Sequence, residues 1–256
     1  MLVTQIGRAE LKYYVSKDKM GDLRQAILNH CEPDQFAARM EDYTYRVRSI
    51  YFDSSDFRFY YDKLDGLEIR KKLRLRAYDR YEEEGTGFLE IKRRRSNRII
   101  KERAPVSLAG INDTLSKLRL PDSSEDYLPA YKNVVNKFLA IMVSLELQPT
   151  ALILYDRQAF TGLIDPTERV TIDMNVRSSI FPSLEDLFRE DDLAPVVADR
   201  HILELKFNRF MPKWMNRLVA DFQLRCQSIP KYCMGVEQFD LDEIRGGRRP
   251  AYARRA

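Results

Sequence analysis

The stretch RKKLRLRAYDR, residues 70–80, places a cation at every second position. These cations are Lys72, Arg74 and Arg76, and the residues between them are two leucines and an alanine. Because side chains alternate between the two faces of a β-strand, the stretch predicts a strand with one basic and one apolar face. The apolar face is suited to a core, and the basic face needs a partner of its own.

The same division into two faces recurs in other strand-like segments of the chain. In RAELKYYV, residues 8–15, Lys12 shares a face with Glu10, and in ILELKF, residues 202–207, Glu204 shares a face with Lys206. The cations on these polar faces are Lys12, Lys72, Arg74, Arg76, Lys92, Arg94, Lys101, Arg103, Arg157, Arg169 and Lys206. They outnumber the acidic residues on the same faces, and tyrosine and threonine are interleaved with them.

Two interpretations of the basic faces stay open at this point. An antiparallel sheet can bury one face and hydrate the other, where charges cost little. If the basic faces instead converge, like charges repel by up to a few kcal/mol per pair at an effective dielectric constant near 20. Such a site needs an anion, and regularly spaced lysines and arginines suit the phosphate oxygens of an elongated polyanion.

Glu10 and Glu204 interrupt the basic pattern. A carboxylate among phosphate-binding cations is costly unless it holds a proton or a divalent metal. One or two carboxylates plus phosphate oxygens are the usual ligands of Mg²⁺, and Mn²⁺ is bound similarly. The alternative for Glu204 is an ion pair with a neighbouring arginine, and Asp173 is a weaker candidate of the same kind.

Composition and motifs narrow the class of protein. The 43 basic and 39 acidic residues give a net charge of only +4, which argues against a bulk nucleic-acid coat protein. No stretch approaches the roughly 18 apolar residues of a membrane span, so we expect a cytoplasmic protein. Cys31, Cys226 and Cys233 have no metal-ligand spacing, and two histidines nearly exclude a histidine zinc site. The chain also lacks the glycine-rich phosphate loops and the G-x-S-x-G motif.

Periodicity predicts an α+β fold around a large, mostly antiparallel sheet. Strands are expected at about 7–15, 46–55, 70–80, 86–94, 98–104, 150–160, 168–177 and 201–207. Helices are expected within 16–30, 56–64, 107–146 and 212–226. Residues 1–240 form the expected domain, and the basic segment 241–256 is an expected disordered tail.

Nine segments in order resemble the landmarks of the VTC domain over about residues 6–237. The segments are ELKYYV, SIYFDSSDFRFYYDKLDG, KKLRLRAY, FLEIKRR, IIKERAPV, YDRQAF, RVTIDMNVRS, ILELKF and SIPKYCMGV. The VTC domain is the polyphosphate polymerase domain of the vacuolar transporter chaperone family, within the triphosphate tunnel metalloenzyme (CYTH-like) superfamily. The resemblance implies an eight-stranded antiparallel β-barrel tunnel with inserted and C-terminal helices.

The resemblance also assigns roles to individual residues. The implied catalytic ligands of phosphate are Lys12, Arg74, Arg76, Lys92, Lys101, Arg157, Arg169 and Lys231. The implied substrate-binding residues are Lys72, Arg94, Arg103, Tyr51, Lys206, Ser228 and Tyr232. Glu204 matches the metal-binding glutamate, with Glu10 as a second ligand, and the implied cofactor is Mn²⁺ or Mg²⁺.

The implied activity is a phosphotransferase that moves the γ-phosphoryl group of ATP, or of another nucleoside triphosphate, to inorganic polyphosphate. Only one glutamate of the superfamily's Glu-x-Glu-x-Lys signature remains in Glu10-Leu11-Lys12, which favours the polymerase branch. A metal-dependent tripolyphosphatase and a non-catalytic polyanion-binding module stay open as alternatives. The expected small-molecule partners include pyrophosphate or phosphate, with no specific nucleic acid. A stand-alone bacterial-type member is expected, and an unidentified membrane partner protein stays open.

Overall fold

The structure, a computed structural model, describes residues 3–5, 8–79, 85–95, 98–118 and 128–241. The strands are β1 Val3–Gln5, β2 Arg8–Ser16, β3 Cys31–Pro33, β4 Thr44–Asp53, β5 Ile69–Tyr78, β6 Thr86–Arg95, β7 Arg98–Ser107, β8 Gln148–Gly162, β9 Arg169–Ile180, β10 Ala194–Pro195 and β11 Arg200–Asn208. The helices are α1 Met20–Leu28, α2 Arg58–Leu64, α3 Ile111–Ser116, α4 Pro129–Ser144, α5 Lys213–Asp221 and α6 Lys231–Val236.

The strands form one antiparallel sheet in the order β1-β7-β6-β5-β4-β8-β9-β11-β2, with β3 paired to β8 and β10 to β9. The eight predicted strands are all present, and the three short strands β1, β3 and β10 are additional. Within the described residues no ladder joins the edge strands β1 and β2 to each other. Gln5 and Arg8 are three residues apart, so the two edges approach to within about 11 Å at this point.

Apolar residues of the convex face pack against helices in two separate regions of the sheet. Leu73 and Leu75 of β5 are fully buried against Phe138 and Leu139 of α4. In the second region of this face, α1 and α5 cover the outward-facing apolar residues of β2, β9 and β11. Each fully buried leucine or phenylalanine contributes roughly 1.5–3 kcal/mol. The apolar half of the β5 pattern therefore faces α4, and its basic half faces the concave side.

The predicted helical region 107–146 contains two helices, α3 and α4, and part of their connection lies outside the described residues. The predicted C-terminal helix ends earlier than expected, because Gln223 has a positive φ of 53° directly after the cap at Phe222. The expected tail, residues 241–256, lies outside the described residues except for Leu241. In the part of the chain that is described, no helix has the length and apolar character needed to cross a bilayer.

Helix α6 was not predicted, and it packs on the concave face of the sheet. Its residues Cys233 and Val236 are buried in the same cluster as Tyr51 and Ile153. Gly235 allows this close approach, since a β-carbon there would lie 2.3 Å from Ile153 Cδ1 and 3.1 Å from Ser178 Cβ. The first turn of α6 consequently faces the space enclosed by the sheet.

Candidate functional site

The concave face encloses a cavity of about 880 Å³. The cationic side chains that line it are Lys12, Lys72, Arg74, Arg76, Lys92, Lys101, Arg103, Arg157, Arg169, Lys206 and Lys231. The carboxylates in or directly behind the lining are Glu10, Asp34, Asp79, Glu90, Asp173 and Glu204. Counted over the described residues alone, eleven cations against six carboxylates give a formal excess of five positive charges.

Strand register places three lysines side by side on β5, β6 and β7. Lys72 pairs with Lys92, and Lys92 pairs with Lys101. Directly opposed residues of antiparallel strands have Cβ atoms about 4.5–5.5 Å apart, so the three ammonium groups repel one another. Burial lowers the pKa of Lys72, and the nearby Lys12 lowers it further. Lys92 and Lys101 have carboxylate partners in Glu10 and Glu90, but among the described residues no carboxylate lies within ion-pair distance of Lys72, which leaves Lys72 open to an anion.

The next row along the same strands is organised by Glu90, whose exposed fraction is only 1%. Arg74 donates from Nε to Glu90 Oε2 over 2.7 Å, and Lys101 Nζ lies 2.7 Å from Oε1. Burial by itself would raise the pKa of Glu90, but Arg74 and neighbouring cations outweigh it and hold the pKa well below its usual value. Burial and Arg74 together outweigh the attraction of Glu90 for Lys101, whose pKa is lowered to about 8.

Two tyrosines of the cavity wall accept hydrogen bonds from arginines. Arg74 Nη1 donates to the Tyr51 hydroxyl over 2.9 Å, and Arg76 Nη2 donates to the Tyr155 hydroxyl over 3.1 Å. Burial acts to raise the pKa of Tyr51, but Arg74, Arg76 and Lys72 lower it to about 7. These contacts hold the planar guanidinium groups in place, and in the described part of the chain Arg76 has Ser49 and Tyr155, with no carboxylate, as partners.

On the opposite wall, β2 and β11 bring together the two glutamates predicted as metal ligands. Lys12 Nζ lies 3.1 Å from Glu10 Oε1, and Lys206 Nζ lies 3.1 Å from Glu204 Oε1. Lys92 reaches across the cavity to Glu10 Oε2 at 3.4 Å. Burial acts to raise the pKa of Glu204, but Lys206 and Lys12 outweigh it, so the pKa lies well below the usual value. The Glu204 carboxylate is therefore charged.

These two carboxylates fit a divalent cation that takes its remaining ligands from phosphate. Their oxygens are hard ligands, and Mg²⁺ is commonly bound by one or two carboxylates together with phosphate oxygens and water. Within the described residues there is no group of three or more histidine, cysteine, aspartate or glutamate side chains arranged for a metal. Glu10 and Glu204 could thus hold a cation only together with ligands from a bound anion or water.

Asp173 joins the sheet to α6. It accepts hydrogen bonds from Arg157 Nε at 2.6 Å and Nη2 at 2.8 Å, and Lys231 Nζ lies 2.5 Å from its second oxygen. Burial acts to raise the pKa of Asp173, but Arg157 and Lys231 lower it to about 2. The position of Lys231, at the first residue of α6, is therefore set by the cavity wall.

The structure brings most of the sequence-predicted residues into the lining of one cavity. All eight residues predicted as catalytic line it, as do the two predicted metal ligands. Of the predicted substrate-binding residues, Lys72, Arg103, Tyr51, Lys206 and Tyr232 line the cavity. Arg94 and Ser228 lie outside the lining and are exposed, because β6 extends beyond the cavity at Arg94 and Ser228 precedes α6.

Sequence reasoning did not include Glu90 or Tyr155 among the site residues. A signal for both was present, since Glu90 alternates with Lys92 and Tyr155 alternates with Arg157 on the cavity face. Asp34, which accepts from Arg169 Nη2 over 2.7 Å, had no such signal, because it lies outside the long strands. Its contact with β9 depends on the folding of the segment around β3.

The sheet and its cavity define the class of protein: a domain built on one large antiparallel sheet with a strongly cationic concave face, which within the described residues is not closed into the expected eight-stranded barrel. The chain belongs to the VTC domain family, whose family model matches residues 7–240. It is 23% identical over 281 residues to vacuolar transporter chaperone complex subunit 4 of Schizosaccharomyces pombe, covering 93% of this chain. The match covers 38% of that relative, so the chain spans well under half of its length.

Comparison with solved structures gives low sequence identities and TM-scores below 0.5. A putative adenylate cyclase from Bacillus halodurans is 13% identical, with 88% of this chain and 96% of that chain covered and a TM-score of 0.47. A putative adenylyl cyclase from Hippeastrum, described as having a dominant triphosphatase activity, is 11% identical, with 95% and 97% covered and a TM-score of 0.49. The family assignment rests on the match over residues 7–240.

Proposed function

We propose that this protein is a metal-dependent phosphotransferase that moves the γ-phosphoryl group of ATP to the end of an inorganic polyphosphate chain. The observation that carries the proposal is that eleven cations of the described residues line one cavity, with Glu10 and Glu204 on one wall. Membership of the VTC domain family supports the same substrate class.

In this reaction the cavity holds two polyanions in contact. The terminal oxygen of the acceptor chain forms a bond to the γ-phosphorus, the bond from that phosphorus to the β,γ-bridging oxygen breaks, and ADP leaves. The transition state is loose, with charge spread over the equatorial oxygens, so positioned cations can supply much of the acceleration. Direct transfer of this kind needs no protein nucleophile.

The arrangement of side chains suggests how the work is divided. Arg74 and Arg76, held by Glu90, Tyr51 and Tyr155, offer guanidinium donors with fixed directions, which suits phosphate oxygens. The lysine row formed by Lys72, Lys92 and Lys101 supplies positive charge without fixed direction. A Mn²⁺ or Mg²⁺ ion held by Glu10 and Glu204 would neutralise charge on the bound phosphates.

The test is to incubate the purified protein with ATP and Mn²⁺ and to separate the products on a gel stained for polyphosphate. Wild type should make chains, whereas Glu204→Gln and Arg74→Ala should not. Arg217→Ala is the matched control, because the Arg217 side chain is 82% exposed on α5 and should be dispensable.

The products distinguish the proposal from its two alternatives. Release of free phosphate from ATP or tripolyphosphate, without chains, would replace the transferase with a metal-dependent triphosphatase. Tripolyphosphate binding that persists in EDTA, falls steeply with salt and is accompanied by no turnover would leave a polyanion-binding module.

A further inference from the structure

A second group of arginines lies on the convex face, on the side of β4 opposite to the cavity. Arg48 of β4 pairs with Leu154 of β8, which pairs with Arg177 of β9. Arg46 lies two residues earlier on the same face of β4. The three arginines are brought together by register, and their exposure differs, since Arg48 is only 2% exposed whereas the Arg46 side chain is 36% exposed.

One carboxylate lies at the centre of this group. Glu190, on the connection between β9 and β10, has Oε1 at 2.5 Å from Arg46 Nη1 and 2.6 Å from Arg48 Nη2. Its second oxygen accepts from Arg177 Nη1 at 3.5 Å. The Arg48 guanidinium also lies 5.4 Å from the centre of the Phe188 ring.

The three arginines have more N–H donors than the two oxygens of Glu190 can accept. Asp156 accepts from Arg46 Nε at 3.0 Å, and the Asp79 carbonyl accepts from Arg48 Nε at 2.9 Å. In the described part of the chain, Arg48 Nη1 and Arg177 Nε are buried without an acceptor. A carboxylate has two oxygens, whereas a phosphoryl group has at least three, and buried donors without acceptors are rare in folded proteins.

The geometry points to an anion site on the convex face in which Glu190 occupies the place of a tetrahedral phosphoryl group. The ligand is orthophosphate or the terminal phosphoryl group of a polyphosphate chain, and it binds to Arg46, Arg48 and Arg177 when Glu190 withdraws. This site is separate from the cavity, and it does not depend on the proposed reaction.

Equilibrium dialysis of the full chain with radiolabelled orthophosphate, in metal-free buffer, tests the site. The experiment uses Arg74→Ala as the background, so that binding in the cavity is weakened. Glu190→Gln should increase orthophosphate affinity by roughly tenfold, because the competing negative charge is gone. Arg177→Gln should abolish the same binding. If tripolyphosphate displaces orthophosphate at equal phosphoryl concentration, the preferred ligand is the terminal phosphoryl group of a polyphosphate chain; if it does not, the preferred ligand is orthophosphate.

Thermal unfolding provides a second measurement, since removal of Glu190 also breaks contacts that hold the β9–β10 connection. Orthophosphate should raise the melting temperature of the double variant with Arg74→Ala and Glu190→Gln more than it raises that of the single variant Arg74→Ala. If Glu190→Gln neither binds orthophosphate more tightly nor regains stability with it, Glu190 is a structural clamp and the site does not exist. Binding that Arg177→Gln leaves unchanged would overturn the proposal equally.

Discussion

Glu90→Gln should destabilise the empty protein while strengthening its binding of polyanions. The carboxylate is 1% exposed and compensates Arg74 at 2.6 Å and Lys101 at 2.7 Å. Removing one partner of a buried ion pair typically costs 3–5 kcal/mol, and glutamine keeps the shape and one acceptor. We expect a loss of about 3 kcal/mol in the free energy of unfolding, which corresponds to roughly 1 M in the urea midpoint.

The matched control is Asp113→Asn, which removes an ion pair of the same length but on the surface. Lys117 Nζ lies 2.6 Å from Asp113 Oδ2, with side chains 51% and 71% exposed. An exposed pair of this kind contributes about 0.5 kcal/mol or less. Urea denaturation of the two variants, with and without tripolyphosphate, measures both effects. Equal losses in the two variants, or no extra stabilisation of Glu90→Gln by tripolyphosphate, would refute the role assigned to Glu90.

Three further predictions follow from the cavity and α6. The pKa of Lys101 is lowered to about 8, so its charge is present below pH 8 and lost above it. The affinity of wild type for tripolyphosphate in EDTA should therefore fall more than that of Lys101→Arg as pH rises from 7 to 9. Parallel pH profiles of the two proteins, measured by calorimetry, would contradict this. Gly235→Ala should lower the free energy of unfolding by about 1–3 kcal/mol, because its β-carbon would lie 2.3 Å from Ile153 Cδ1. Gly21→Ala is the control: no atom lies within 4 Å of its β-carbon, so it should be neutral or stabilising in the same urea assay. Lys72→Met should reduce the dependence of tripolyphosphate affinity on salt, because one phosphate contact is lost; an unchanged slope of log affinity against log salt would exclude Lys72 as a ligand.

The alternation of side chains was sufficient to predict the sheet and most of the cavity. Each of the eight long strands was found, and Lys72, Arg74 and Arg76 lie on the predicted common face. This succeeded because the period of two in a strand is a local property. Arg94 follows the same period but lies beyond the end of the cavity, and the length of the cavity is not a local property.

Features that depend on contacts between distant segments were not predictable. The six-residue helix α6 is too short to show a period, and its place depends on the contact of Gly235 with β8 and β9. The convex arginine group requires the register of β4, β8 and β9, together with a connection that returns Glu190 to them. Asp173 was a weak metal candidate from sequence; its ion pair with Arg157 depends on the register of β8 and β9, and its ion pair with Lys231 depends on the position of α6.

The row of Lys72, Lys92 and Lys101 implies a trade between stability and activity. Like charges directly opposed across a sheet are unfavourable to folding, and apolar residues of similar length would remove that cost. A Lys72→Met protein is thus expected to be more stable and less active, as is common where a site is built from groups that repel one another. Selection for thermal stability alone would remove Lys72 first, because Lys92 and Lys101 have carboxylate partners, and an anion bound in the cavity would stabilise the fold.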